Sequence, residues 1–147
     1  MHVGIEGYGI LLAIGGVCLL SACGNAATKP VDILPEDMCL QCRMAISEKR
    51  CAAEFIDREG KSFKFDDLAC MGNYIKEKQR KSEIAGYFVA DFERTGWIRA
   101  EDAYYVHSSR ISTPMRGGLI AFRDGATAQA AAAKYQGEVR SFSEVIP

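Results

Sequence analysis

The sequence has no excess of charge of either sign, only two histidines and a single pair of closely spaced cysteines. Its 18 Lys and Arg residues nearly balance 19 Asp and Glu residues, which gives a net charge of −1. A nucleic-acid-binding protein usually carries a basic stripe, so this balance argues against nucleic acid as a partner. It also provides no field to steer an acidic partner. No convincing acid–base or nucleophile–base arrangement is present, so we expect the protein not to be an enzyme.

What the chain does contain is typical of a small globular protein with unusual cysteine content. A length of 147 residues favours one domain or two very small ones. A composition of 48% hydrophobic and 25% charged residues is ordinary for such a domain. Six cysteines are many for this length, and their positions therefore have to be explained first.

Charge is also missing from the first part of the chain, between residues 7 and 28. The apolar run Ile10–Leu20 is followed by Ser21-Ala22-Cys23, an ending that resembles the bacterial lipobox. The run is too short and too rich in glycine to favour a transmembrane helix. Its amino-terminal flank lacks the basic residues that a signal normally has. The pattern predicts a lipoprotein signal peptide at residues 1–22 and lipidation of Cys23, which would anchor the protein to a membrane of the cell envelope.

The remaining chain is predicted to be α+β, with two small repeated β-β-α-β units that follow a lipidated tether at residues 23–37. The tether is small, polar and contains proline. The domain covers residues 38–147, and its units span about residues 51–92 and 103–140. Alternating apolar residues and turn residues predict strands at 51–56, 61–65, 87–92, 103–107, 118–122 and 137–139. Helices are expected after the possible caps Asp66 or Asp67 and at residues 126–135.

The chemistry of the chain is concentrated in Met38-Cys39-Leu40-Gln41-Cys42-Arg43-Met44. One interpretation is a thiol-disulfide oxidoreductase that uses Cys39 and Cys42, although no clear strand precedes the pair as it does in thioredoxin-like enzymes. A second is a structural zinc site of four thiolates, Cys39, Cys42, Cys51 and Cys70, although a second Cys-x-x-Cys is missing. Haem c attachment is excluded because Arg43 stands where histidine is required.

The third interpretation is a site for a soft metal ion. Cu(I) prefers thiolate and thioether ligands, and one thiolate balances its single charge. Cys42 and Met44 are two residues apart, so in an extended segment both side chains point to the same side. A second candidate loop, Thr113-Pro114-Met115-Arg116-Gly117-Gly118, constrains Met115 through its proline and glycines. Met115 is then either a ligand or a residue that fills a gap in the core.

Several motifs occur in an order that resembles the NosL family of copper-binding lipoproteins. They are Met38-Cys39-x-x-Cys42-x-Met44, Phe65-Asp66-Asp67-x-x-Cys70-Met71, Trp97-Ile98-x-Ala100, Thr113-Pro114-Met115-x-Gly117-Gly118 and the lipobox. The resemblance covers almost the whole chain after Cys23. It implies two small β-β-α-β units, in agreement with the repeat inferred above.

The same resemblance implies a function, a metal and a set of partners. The protein would be a periplasm-facing metallochaperone that delivers Cu(I) for nitrous oxide reductase maturation, with an ABC-type NosDFY complex as partner. The implied ligands are Cys42, Met44 and Met115. Cys39 is implied as a supplementary ligand or a disulfide partner. No role is implied for Cys51, and Cys70 is expected to be a buried small residue in the first turn of a helix.

Overall fold

The computed structural model describes residues 1–2 and 28–146. The predicted signal peptide, beyond its first two residues, and the predicted lipidation site Cys23 lie outside the described residues. No helix in the described part of the chain is long and apolar enough to cross a membrane.

The first unit begins with two antiparallel strands, β1 (Ala53–Asp57) and β2 (Ser62–Phe65). The turn between them is stabilised by Asp57, whose Oδ1 accepts hydrogen bonds from the backbone N–H groups of Glu59 and Lys61. Gly60 follows with φ +83°, a conformation that glycine adopts without steric cost. This local chemistry fixes the hairpin and its register.

Helix α1 (Leu68–Lys78) follows and packs against this hairpin. Asp67 caps its first turn, and Gln79 ends it in the left-handed conformation. Its apolar face, with Leu68, Met71 and Ile75 buried, covers the sheet. Tyr74 stacks at a tilt against three phenylalanines of the hairpin, Phe55, Phe63 and Phe65.

Strand β3 (Ile84–Ala90) and the short strand β4 (Trp97–Arg99) complete the first sheet, in the order β2-β1-β3-β4. The second unit contains β5 (Tyr104–His107), β6 (Leu119–Phe122), helix α2 (Gly125–Tyr135) and β7 (Glu138–Arg140). Its sheet has the order β6-β5-β7. The first strand of each unit therefore lies between the two others, and the predicted α+β fold with two β-β-α-β units is confirmed.

The two helices occupy the same place in their units and have the same residue types at their two caps. Asp124 caps α2 as Asp67 caps α1, and Gln136 ends α2 in the left-handed conformation as Gln79 ends α1. Two features were not predicted, namely β4 and the single-turn helix α3 (Phe142–Val145). β3 begins three residues before its predicted start, at Ile84.

The units meet where β3 ends. Asp91 and Ala121 form a parallel bridge, and the backbone N–H of Phe92 donates to the carbonyl of Ala121 at 2.9 Å. Two hydrophobic cores lie on either side of this junction, one under α1 and one under the alanine-rich α2. Cys51 belongs to the core of the second unit, whereas Cys39 and Cys70 belong to the first.

The segment before the domain is held against the first sheet. The backbone N–H of Val31 donates to the buried carboxylate of Glu54 on β1. The Lys64 ammonium donates to the carbonyl of Asp32 at 2.7 Å and to the carboxylate of Asp37 at 2.6 Å. The last part of the predicted tether, from residue 31 to 37, is thus attached to the domain.

Candidate metal centre

The Cys39–Cys42 pair lies on a tight loop that is closed by an antiparallel bridge between Met38 and Ala45. The backbone N–H of Cys39 donates to the carbonyl of Met44 at 2.8 Å. The Leu40 N–H donates to the carbonyl of Lys64 at 3.1 Å, which attaches the loop to β2. The pair is therefore placed by the edge of a sheet and does not begin a helix, in contrast to thioredoxin-like enzymes.

The geometry between Cys42 and Met44 differs from the predicted extended segment. Arg43 has φ +65°, and its N–H donates to the carbonyl of Cys39 at 3.0 Å. A left-handed residue between the two side chains breaks the alternation of a strand, so the argument that an extended backbone aligns them was wrong. The turn instead brings the backbone N–H of Met44 to the sulfur of Cys42.

The first turn of α1 supplies the other side of the site. Asp67 is the helix cap, because its Oδ1 accepts from the N–H of Cys70 at 2.9 Å. Asp66 is not the cap. Its carboxylate is 1% exposed and accepts a hydrogen bond from the Cys42 thiol, with 3.3 Å between Sγ and Oδ2. Its other oxygen, Oδ1, is buried and has no partner among the described residues.

Four side chains from the loop and the helix converge at this point. They are Cys39, Cys42, Asp66 and Cys70, and one ligand atom of each lies within 4.8 Å of those of the others. Cys39 and Cys70 are buried, and Cys42 is partly exposed. All four cysteines in the described part of the chain are free thiols. We call this group the thiol cluster.

Burial keeps the thiols of Cys42 and Cys70 protonated at neutral pH. It raises the pKa of Cys42 to about 11, even though the N–H of Met44 opposes the change and the neighbouring Cys39 and Asp66 add to it. Burial also raises the pKa of Cys70 strongly, with further contributions from Asp66 and Cys39. A metal ion that binds these sulfurs must therefore displace protons from them.

The second candidate loop is bonded through its backbone to Asp67, the residue that follows Asp66 of the cluster. Thr113 to Arg116 form a turn in which the N–H of Arg116 donates to the carbonyl of Thr113 at 2.9 Å. The N–H of Met115 donates to Oδ2 of Asp67, also at 2.9 Å. Gly117 lies so close to α1 that a Cβ there would be 3.1 Å from that of Ala69. The loop of the second unit is thus fixed on the first turn of α1.

The family and fold of the chain follow from comparison with known proteins. The model of the NosL family matches residues 30–147. The chain belongs to the NosL family. Among solved structures, the crystal structure of the copper chaperone NosL from Shewanella denitrificans matches with a TM-score of 0.72 and 19% sequence identity, over 81% of this chain and 96% of that chain. No curated protein matches the chain.

In this NosL-family chain the residues predicted from sequence lie on two loops at one end of α1. Cys39 and Cys42 are part of the thiol cluster. Met44 follows Cys42 on the same loop, and the backbone N–H of Met115 donates to Asp67, next to Asp66 of the cluster. The side chains of Met44 and Met115 are 48% and 42% exposed. Neither methionine fills the core, so the alternative role considered for Met115 was wrong.

Of the other two cysteines considered from the sequence, Cys51 lies outside the cluster and Cys70 belongs to it. Cys51 is buried in the second core, so the four-thiolate zinc set proposed as an alternative is not assembled. Cys70 is buried as predicted but lies within the cluster. Asp66 was missed, since it was interpreted only as a cap. Asp66 and Asp67 both precede α1, but a helix needs only one capping side chain. This surplus of one aspartate is the sequence signal that could have identified Asp66 as a site residue.

Proposed function

We propose that this protein binds one Cu(I) ion through Cys42, Met44 and Met115, with Cys39 as a supplementary ligand, and passes it to a partner protein. The observation that carries the proposal is the convergence of two loops on α1. One loop carries Cys42 and Met44, and the other is joined by the N–H of Met115 to Asp67, one residue from the carboxylate that accepts from Cys42. The similar fold of a protein described as a copper chaperone supports copper as the metal.

The donor types suit Cu(I) better than a hard cation. Thiolate and thioether sulfurs are soft ligands, and a single thiolate neutralises the charge of Cu(I). Met44 and Met115 are about half exposed, so a partner can approach the ion from the solvent side. The exposure of these two methionines and the neutral charge of their thioether sulfurs both favour the release of the ion to a partner.

We also propose that the protein acts by binding and transfer rather than by catalysis. A thiol-disulfide oxidoreductase needs a nucleophilic cysteine with a lowered pKa. Here burial raises the pKa of Cys42, the more exposed member of the pair, to about 11. This opposes the oxidoreductase alternative, for which a negative disulfide-reductase assay would be the corresponding test.

The site should be tested by titrating the reduced, metal-free full chain in detergent with Cu(I) against a competing chelator. We expect one tight Cu(I) per chain, with affinity reduced at least about tenfold by Cys42→Ser, Met44→Ala or Met115→Ala. Met38→Ala is the matched control, because Met38 is 56% exposed on the same loop but lies outside the proposed ligand set. Binding that is indifferent to all three changes would refute the site.

The membrane anchor and the recipient form the wider part of the proposal. We propose that Cys23 carries lipid, that the domain faces the periplasm, and that it supplies Cu(I) for nitrous oxide reductase maturation together with a NosDFY-type ABC complex. The lipobox-like ending Leu20-Ser21-Ala22-Cys23 and membership of the NosL family support this. Labelled fatty acid should be incorporated into the unsubstituted chain and not into Cys23→Ala.

Delivery has its own test. The Cu(I)-loaded protein is mixed with copper-free nitrous oxide reductase, in membranes that contain or lack the ABC complex, and copper in the separated reductase is measured. Transfer that depends on Met115 and on the complex supports the proposal. Equal transfer to an unrelated copper protein would contradict the named recipient.

A further inference from the structure

Two thiols of the cluster lie outside the three principal Cu(I) ligands Cys42, Met44 and Met115, since Cys39 is only a supplementary ligand and Cys70 is none, and they are the two most deeply buried. Cys39 is 0% exposed and Cys70 is 1% exposed. Cys39 comes from the Met38–Ala45 loop, and Cys70 comes from the first turn of α1. Their Sγ atoms lie within 4.8 Å of each other and of the Cys42 sulfur. Deeply buried thiols beside a partly exposed metal ligand need an explanation of their own.

We propose that Cys39 and Cys70 form a reducing dithiol that converts incoming Cu(II) into Cu(I) at Cys42. The inference goes beyond copper binding but rests on Cys42 as the copper ligand. It concerns the oxidation state in which copper arrives. Since soft sulfur ligands favour Cu(I), a source of electrons next to the site lets the protein accept Cu(II) and still carry Cu(I).

The reaction balances with two copper ions for each dithiol. Each Cu(II) gains one electron. The first Cu(II) at Cys42 leaves the Cys39 and Cys70 pair oxidised by one electron, as a sulfur-centred radical, and a second Cu(II), which reaches Cys42 after the first Cu(I) has been passed on, takes the second electron. The S–H bonds of Cys39 and Cys70 break, one S–S bond forms between the two sulfurs, and two protons pass to water. The disulfide must later be reduced again, so each chain supplies two electrons once and the reaction is stoichiometric.

The positions of the thiols favour Cys39 and Cys70 as the oxidised pair. Cys42 is the partly exposed member of the cluster, and its thiol donates to the carboxylate of Asp66, with 3.3 Å between Sγ and Oδ2. An ion bound there lies next to both buried sulfurs but occupies the Cys42 sulfur itself. Oxidation of the buried pair leaves Cys42 able to keep the Cu(I) that has formed.

Burial also determines which oxidants reach the dithiol. Sulfur that is closed to solvent reacts slowly with dissolved oxidants, because susceptibility to oxidation follows exposure and thiolate character. Access for copper is through Cys42. The dithiol is thus protected from other oxidants of the same compartment until Cu(II) is bound beside it.

The test measures Cu(I) produced from Cu(II) without oxygen. The full chain carries Cys18→Ser and Cys23→Ser in every sample, so that only the four described thiols remain. Reduced protein receives two equivalents of Cu(II) in the presence of a Cu(I)-specific chelator, which removes and reports each Cu(I) as it forms, and EDTA then takes up the remaining Cu(II). Peptide mapping identifies the disulfide. Cys39→Ser and Cys70→Ser are compared with Cys51→Ser, which removes a buried thiol of the other core.

We expect two Cu(I) ions per chain and a Cys39–Cys70 disulfide in the background protein and in Cys51→Ser. Cys39→Ser and Cys70→Ser should lose this rapid reduction, and Cys70→Ser should retain its affinity for Cu(I). Unchanged reduction in Cys70→Ser, or a Cys39–Cys42 disulfide, would overturn the inference. The disulfide map of the background protein decides the matter even if a variant fails to fold.

The outcome is separable from that of the proposed function. A chain that binds Cu(I) tightly at Cys42 but forms no Cys39–Cys70 disulfide with Cu(II) refutes the dithiol alone. A chain without a tight Cu(I) site fails in the earlier titration.

Discussion

The carboxylate of Asp67 joins the two halves of the candidate metal centre. Its Oδ1 accepts from the N–H of Cys70 and caps α1, while its Oδ2 accepts from the N–H of Met115, each at 2.9 Å. One side chain thus fixes the start of a helix in the first unit and the position of a loop in the second. Each oxygen accepts one of these two hydrogen bonds. A substitution that keeps one acceptor oxygen and removes the other can therefore separate the helix cap from the attachment of the Met115 loop.

Replacing Asp67 with Asn should release the Met115 loop while keeping much of the cap. The amide has one acceptor oxygen for Cys70, and its NH2 group cannot accept from Met115. We expect Cu(I) affinity to fall by about tenfold or more, as for other residues that orient ligands. Asp67→Ala should also lower the free energy of unfolding, by about 2 kcal/mol, through loss of the cap and of the second hydrogen bond.

Asp124 offers the matched control for this prediction. It caps α2 through the N–H of Thr127 at 2.8 Å, in the equivalent place of the second unit. Its other carboxylate oxygen faces the exposed Arg94. Asp124→Asn should therefore leave Cu(I) affinity unchanged in the same chelator competition. Equal losses in both variants would mean that Asp67 acts on stability alone.

Gly118 is the position in the Met115 loop where a side chain is least tolerated. It has φ +63°, and a Cβ there would be 2.2 Å from the carbonyl oxygen of Ser108. Gly118→Ala should lower the free energy of unfolding by more than about 3 kcal/mol. The backbone at Ser108 would have to move away from the new methyl group, and the alanine itself would be held in the strained left-handed conformation. Urea denaturation would measure the loss.

Gly60 separates the two causes of that loss. Its φ is +83°, yet nothing lies within 4 Å of where its Cβ would be. Gly60→Ala should therefore cost only about 1–2 kcal/mol, the strain of a left-handed residue. A Gly118 variant no less stable than the Gly60 variant would show that the loop adapts to the added methyl group.

The fold was predictable from sequence because each unit repeats strong local patterns. Alternation of apolar residues located the strands, and a capping aspartate precedes both helices. The elements that were missed are the short ones. Strand β4 has three residues and helix α3 has four, which is too few for alternation or a helical period to stand out.

The site was predictable only where it is local in sequence. The spacing of Cys39 and Cys42 identified the first loop. The approach of Cys70 and Asp66 to that loop depends on a long-range contact, the hydrogen bond from Leu40 to the carbonyl of Lys64. Nothing in the sequence shows that Cys70 belongs to the thiol cluster and Cys51 does not. The difference arises because the two cysteines pack into different hydrophobic cores.

The attachment of the segment before the domain should depend on pH through Asp37. Burial raises the pKa of this carboxyl, but hydrogen bonds from Lys64 and from the Leu34 N–H outweigh it, so the net pKa is lowered from 3.8. Because the pKa of Asp37 is lower in the folded protein than in the unfolded chain, its carboxylate stabilises the fold at pH values above the unfolded pKa. This stabilisation is lost as the pH falls through the folded pKa. Asp37→Asn should cost about 1 kcal/mol at pH 6, and the difference from the unsubstituted protein should decline as pH falls below 3.8 and vanish once the pH is below the lowered pKa of the folded protein.

Urea denaturation of both proteins at pH 6 and at progressively lower pH tests this. Glu48→Gln serves as the comparison, because the pair of Glu48 with Arg50 is more than half exposed on both sides and should contribute almost nothing. A loss for Asp37→Asn that persists unchanged in acid would assign it to packing rather than to charge.

Asp66 should control the reactivity of Cys42. The pKa of Cys42 is raised to about 11 by burial first, and Cys39 and the hydrogen-bonded Asp66 raise it further against the effect of the Met44 N–H. Asp66→Asn replaces the carboxylate that accepts from the Cys42 thiol with a weaker amide acceptor, so the pKa of Cys42 should fall while remaining above its ordinary value. At pH 8 the alkylation rate of Cys42, followed by mass spectrometry of its peptide, should rise by about threefold for each tenfold gain in thiolate, because a thiolate of lower pKa is a weaker nucleophile. Asp91→Asn, at a buried carboxylate near the junction of the units, should leave the rate unchanged. A rate equally unchanged in Asp66→Asn would mean that burial alone sets the pKa of Cys42.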